Sequence, residues 1–159
     1  QLNRTTADSE LSMREEVCIM TQNTHFAEAL LTAARIRKMV RNDHRNILMF
    51  FRNYLSAPAD SRHAIVEQIL HQLAAHFQAE EELLNGDIRH RGDRERRVVE
   101  EALLEHEEVK AMMWELQHAE ADDDRALDEF FEDMMQTVQA HFVAEERDLL
   151  PAALGQGDL

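Results

Sequence analysis

A chain of 159 residues supports one domain around a single hydrophobic core, and with only four glycines and two prolines its composition favours helix throughout. The formal net charge of −15 excludes nucleic acid and anionic membrane surfaces as partners, because their phosphates are repelled. The lone Cys18 cannot close an internal disulfide, Gln1 to Glu10 lacks an apolar leader, and no stretch approaches the roughly 20 apolar residues of a membrane span, so a cytoplasmic protein is expected.

Residues 1–31 read as a partly helical N-terminal extension. Ser12-Met-Arg-Glu15 is a capping box that opens a short helix through Met20, and Thr24 begins a second piece. Met13, Val17 and Met20 give the extension an apolar strip, equally suited to packing on the rest of the chain or to forming a homodimer. Four amphipathic segments follow. The first, over 32–55, carries Val40, His44, Ile47, Phe51 and Leu55 at three- and four-residue steps and stops before Pro58. The second is capped by Asp60, shows Ile65, Ile69, Leu73, His76, Glu80 and Leu84, and stops at Asn85-Gly86. The third is capped near Asp93 and shows Val99, Ala102, His106, Val109, Met113 and Leu116. The fourth opens in Asp122-Asp123-Asp124, shows Leu127, Phe131, Met134, Val138, His141, Glu145 and Leu149, and ends at Pro151. The basic run from Arg89 to Arg97 falls between segments and reads as a solvated connection. Short connections between helices of similar length predict an all-α, up-down-up-down four-helix bundle over residues 32–152, with a tail at 153–159.

Six polar residues break the apolar pattern. His44, His76, His106 and His141 each occupy the stripe of a different segment, where binary patterning puts Leu or Ile, and Glu80 and Glu145 do the same. His76-Phe-Gln-Ala-Glu80 and His141-Phe-Val-Ala-Glu145 place imidazole and carboxylate four residues apart. On a helix that is a turn of about 40° and a rise of about 6 Å, so both groups point the same way. One core histidine is commonly satisfied by a backbone carbonyl, but buried carboxylates are costly unless paired or bound to metal. Four imidazoles and two carboxylates on four facing stripes point to a dinuclear metal site. Glu81 and Glu146, one residue further on, rotate about 100° outward and read as solvated. His25, His63, His71, His90 and His118 fall off the face or the level of the six. Lys110 reads as a stem that snorkels to solvent. Tyr54, the only tyrosine, is either a further ligand or redox partner, or a core residue with its hydroxyl at the end of the bundle.

The ordered set Asn42-Asp43-His44-Arg45-Asn46-Ile47, His76-Phe77-Gln78-Ala79-Glu80-Glu81, Glu105-His106-Glu107-Glu108-Val109 and His141-Phe142-Val143-Ala144-Glu145-Glu146 resembles the four metal-binding signatures of the hemerythrin-like, HHE cation-binding family. The resemblance implies two iron ions, oxo- or hydroxo-bridged, with Glu80 and Glu145 as bridging carboxylates. It implies His44 and His76 on one iron, and His106 and His141 on the other. Two departures stand out. The oxygen carriers have a second histidine four residues from the first on the third helix, where this chain has Ala102 on one side and Lys110 on the other. Their second carboxylate is an Asp one residue beyond the position of Glu145. Each iron is then left with exchangeable positions, which favours chemistry at the metal over reversible oxygen storage.

The expected activity is therefore on a small diatomic or peroxide ligand (O2, hydrogen peroxide or nitric oxide), with catalase- or peroxidase-like turnover as its enzymatic form. Phe51, Phe77, Phe131 and Phe142 supply an apolar shell. The alternative is an iron- or oxygen-binding module that senses without turnover. No separate general acid or base stands out.

Overall fold

Nothing between residues 3 and 56 is glycine or proline, and in the computed structural model this stretch is a single helix, α1, from Asn3 to Ser56. The separate pieces expected from Ser12 and Thr24 are thus parts of one helix, since no residue between them breaks the backbone ladder. The structure describes the backbone of residues 3–85, 92–119 and 124–155, and the side chains of 28–84, 92–119 and 125–155. The strip of Met13, Val17 and Met20, the side chain of His25, the Gly86 stop, His90 and the Asp122-Asp123 start lie outside the described residues. The chain divides into two compact units, Gln1–Ile36 and Arg37–Leu159.

In the second unit the C-terminal part of α1 packs with α2 (Ala59–Asn85), α3 (Asp93–His118) and α4 (Asp124–Ala144) as a four-helix bundle. A five-residue π-helical turn, Glu145–Leu149, continues α4 into a short α5, Leu150–Leu154. No described helix is long and apolar enough to cross a membrane.

Several boundaries differ from the sequence reading for identifiable reasons. Asp60 lies inside the first turn of α2, which instead starts where the Ser61 N–H reaches the Pro58 carbonyl at 3.0 Å. Gly92, with φ −66° and ψ 164°, caps α3, and its carbonyl takes the Arg96 N–H at 3.0 Å. Asp93 and Glu95 are left in the first turn, where their charge complements the helix dipole. Pro151 does not end the fourth helix. It follows the π turn, at the start of α5, a position where a missing N–H costs little. The chain leaves the helix at Gly155, whose φ of 77° suits a residue without a Cβ.

The core runs the length of the bundle. Ile47 and Phe51 of α1, Ile69, Leu73 and Phe77 of α2, Val109 of α3, and Phe131, Met134 and Val138 of α4 are buried together. At the other end Leu84, Val99, Ala102 and Leu149 form a smaller cluster. Leu55 is the exception among the stripe residues. It is 56% exposed, and Tyr54, three residues beyond Phe51, takes the inward place. The six polar residues of the stripes lie between these apolar layers.

Candidate metal centre

His44 comes from α1, His76 and Glu80 from α2, His106 from α3, His141 from α4, and Glu145 opens the π turn. None is more than 5% exposed. Their donor atoms form two groups. His44, His76, Glu80 and Glu145 offer atoms all within 4.8 Å of one another, as do Glu80, His106 and His141. Glu80 belongs to both. Glu145 is nearly as central, its Oε2 lying 2.9 Å from His44 Nε2, 3.9 Å from His76 Nε2 and 3.8 Å from His141 Nε2. Glu80 Oε2 is 3.4 Å from His106 Nε2 and 3.7 Å from His76 Nε2.

The carboxylates behind the histidine rings were not legible from periodicity. Glu146, expected in solvent, lies with Oε1 2.9 Å from Nδ1 of His44. Glu81, expected in solvent, lies with Oε1 3.2 Å from Nδ1 of His106. Glu105 Oε2 takes Nδ1 of His141 at 2.7 Å. The cause of the correction is reach: a carboxylate beside a candidate ligand on one helix can extend across to the ring of another. Each of these residues directly adjoins a candidate ligand in the chain (Glu80-Glu81, Glu105-His106, Glu145-Glu146), which is the signal that could have found them. Lys110 is explained by the same arrangement. Its Nζ donates to Glu81 Oε1 at 2.6 Å and to Glu107 Oε1 at 3.0 Å, so the cation holds the carboxylate that holds His106. Burial works to raise the Glu81 carboxyl, but the hydrogen bonds from Lys110 and His106 outweigh it and keep it below its ordinary value.

These outer carboxylates fix tautomers. With Nδ1–H donating outward on His44, His106 and His141, each Nε2 presents a lone pair to the interior. Two such nitrogens, on His106 and His141, face each other at 3.1 Å. Lone pairs at that distance repel, and about 3 Å is also the spacing of two nitrogens each about 2.1 Å from one metal ion. Five further buried atoms make no aligned hydrogen bond: Nε2 of His44 and of His76, Oε2 of Glu80, and both carboxylate oxygens of Glu145. Orphaned polar atoms at this density are expensive in a protein interior, and nitrogen and oxygen donors facing one another suit a first-row divalent metal. The residues present fit a bound metal.

The electrostatics carry the same mark. Burial raises Glu145 to about 7 and lowers His76 to about 4. Burial also raises Glu80, and it lowers His44 and His141 against the hydrogen bonds they donate to Glu146 and Glu105. All five shifts run toward the neutral form.

Around the centre, the ring of Phe142 stacks on His44 at 3.9 Å between centroids, and Phe77 lies 4.4 Å from His106. Phe51 and Phe131 instead pack on each other, one layer away in the main core. Beside Ala102, a cavity of about 250 Å³ between α3 and the end of α4 is lined by Glu105, His141 and Glu145. Tyr54 is not among the residues brought together. Its hydroxyl donates to Asp128 Oδ1 at 2.5 Å, Asp128 Oδ2 pairs with Arg62 at 2.6 Å, and the Arg62 guanidinium lies 5.0 Å from the Tyr54 ring centre. Burial first and Asp128 second hold its phenol well above the usual range. His63, His71 and His118 are absent from both donor groups; His63 faces Glu67 and His118 stacks on Trp114.

Among known families, the model of the hemerythrin HHE cation binding domain matches residues 35–153. Neither a curated protein nor a solved structure matches the chain.

Proposed function

This chain belongs to the hemerythrin HHE cation-binding family, and from that footing we propose that it holds two iron ions between its paired donor groups and acts there on O2, hydrogen peroxide or nitric oxide. His44, His76 and Glu145 would hold one ion and His106 and His141 the other, with Glu80, which belongs to both donor groups, shared. What supports this most is the set of five orphaned donor atoms, converging from two helices and the π turn on one interior. When bound, a pair of redox-active metals supplies the electrons and Lewis acidity for such ligands.

The chain's own residues set the conditions. Glu146, Glu81 and Glu105 hold the Nδ1 protons of three histidines, which keeps each Nε2 a donor and raises its basicity. Phe77 and Phe142 pack against the rings and exclude water. On the third helix Ala102 presents only a methyl, so the side of the centre nearest His141 borders open space.

The test has two stages. Elemental analysis of purified protein should find two metal ions per chain, with iron giving near-ultraviolet absorption. Peroxide added to the iron-loaded protein should then release oxygen. Metal without turnover under any reductant favours the second reading, a sensor of iron or oxygen, which draws on the same strain: neutralised carboxylates and imidazoles that pack poorly without an ion.

A further inference from the structure

We propose that the cavity between α3 and the end of α4 is the port through which divalent cations reach the paired clusters, with Ala102 at its throat and an acidic rim that draws them in. The proposal rests on the metal-binding reading above and adds the route.

The cavity ends on the right atoms. Of the groups that line it, Glu145 is 1% exposed and neither of its carboxylate oxygens has a hydrogen-bond partner, and His141 stands beside it. Its volume of about 250 Å³ admits an ion together with several waters of about 30 Å³ each. A cation can therefore exchange hydration for Glu145 without crossing the apolar core. Ala102, which presents only a methyl, is among the residues that line it.

Its rim is acidic. Glu95, Glu101 and Glu105 face the single Arg94, while Arg147 is engaged with Asp148 at 2.6 and 2.9 Å and adds little net charge. A second groove that touches the centre, at His44, has a different character. It is lined by Arg41, Arg45, Arg52 and Arg147 with Glu146 over Leu48 and Phe142; Glu146 pairs with Arg41 at 3.3 Å and Asp148 engages Arg147, which leaves Arg45 and Arg52 to repel a cation. Fields of this kind act mainly on association rates and weaken with salt. The acidic cleft is the one a divalent ion follows.

The experiment follows uptake of Co2+ by metal-free full-length protein, read by its visible absorption in rapid mixing at several ionic strengths, with elemental analysis at the end. For the parent, uptake slows as salt rises. Glu95→Gln with Glu101→Gln should slow uptake about three- to tenfold at low salt, flatten the salt dependence and leave the final metal content unchanged. Ala102→Leu, which narrows the throat, should slow it further at every salt concentration. Arg45→Gln with Arg52→Gln should leave the rate as in the parent. Equal rates and equal salt dependence for parent and rim variant would overturn the port, as would faster loading after loss of the two arginines. If Ala102→Leu does not fold, the rim variant alone decides. A parent that holds no Co2+ at the end-point refutes the metal-binding reading itself, a result distinct from a parent that loads by another path.

Discussion

Nδ1 of His44 donates to Oε1 of Glu146 across 2.9 Å, and this bond decides which nitrogen of the ring faces the centre. Glu145, the preceding residue, lies 2.9 Å from the opposite nitrogen. Two consecutive carboxylates thus grip the two sides of one imidazole. Glu146→Ala should weaken metal binding about 10- to 100-fold, the usual cost of losing a carboxylate behind a ligating histidine. Saturating metal should still fill both positions. Glu146→Gln, whose amide oxygen can accept the same hydrogen, should lose much less. Competition with a chelator of known affinity gives the number, and identical affinities for parent and Glu146→Ala would remove the positioning role.

The two inner carboxylates should not be equivalent. Glu80 belongs to both donor groups, whereas Glu145 belongs to one and only approaches the other. Glu80→Ala should abolish binding of both ions. Glu145→Ala should retain residual binding at His106 and His141. Titration with Co2+ and elemental analysis would show it, and full dinuclear content in Glu80→Ala would undo the assignment.

Metal uptake should be linked to protons. In the metal-free fold Glu145 titrates at about 7 instead of its ordinary 4.5, so below about 7 an incoming ion must displace a proton. Affinity for Zn2+ should fall as pH drops through 7, by up to tenfold per unit from this group alone. For stability the sign is as follows. The raised Glu145 contributes stability to the metal-free fold that is complete below about 4.5 and lost as pH rises through about 7. His76, lowered from 6.5 to about 4, contributes stability present above 6.5 and lost as pH falls through about 4. Between about pH 4.5 and 6.5 these two contributions oppose each other in the melting profile of the metal-free protein. Metal at a hundred times its Kd adds about 2.7 kcal/mol per site by mass action. In a chain of this size that is a rise of about 5 to 10 °C in Tm. Calorimetry in buffers of different ionisation enthalpy counts the protons, and an affinity independent of pH from 5.5 to 8 would contradict the scheme.

Ala102→His adds an imidazole one turn before His106, where the oxygen carriers have theirs. The cavity beside it provides room, so the cost in stability should be small for a substitution this large. The variant should keep two metals, change the spectrum of the oxygen-exposed protein and reduce any peroxide turnover. If turnover and spectrum match the parent, open coordination near His106 is not what governs the activity.

Tyr54→Phe should cost about 1 kcal/mol, the net worth of one hydrogen bond whose acceptor keeps a second partner in Arg62. Metal content and spectrum should not change. A shift in either would return Tyr54 to the centre.

What the sequence made legible is what depends on helical period. The four helices and the convergence of His44, His76, Glu80, His106, His141 and Glu145 all follow from which residues share a stripe. What it hid depends on side-chain reach and on backbone departures from that period. Glu81 and Glu146 point away from the apolar face by rotation, yet their flexible carboxylates bend to rings on neighbouring helices. Lys110 read as a stem reaching solvent, whereas its Nζ holds the Glu81 carboxylate. Leu55 and Tyr54 exchanged places because steps of three and four are both admissible at a helix end. The uninterrupted α1 follows from an absence of breakers, a weaker signal than the capping residues that suggested starts within it.

The turn from Glu145 to Leu149 closes with the Leu150 N–H on the Glu145 carbonyl, five residues back instead of four. Geometrically it is an α-helix carrying one surplus residue, retained although an ordinary helix bonds better. Every residue after it is shifted one place in register from where an unbroken α4 would set it, Pro151 and the α5 anchor of Arg37 on the Leu154 and Gly155 carbonyls included. Deleting a single residue from this turn would regularise the helix while pulling that C-terminal anchor out of phase. The same edit would disturb the carboxylates that grip His44, so a shorter chain could gain regular helix and lose the grip on its metal.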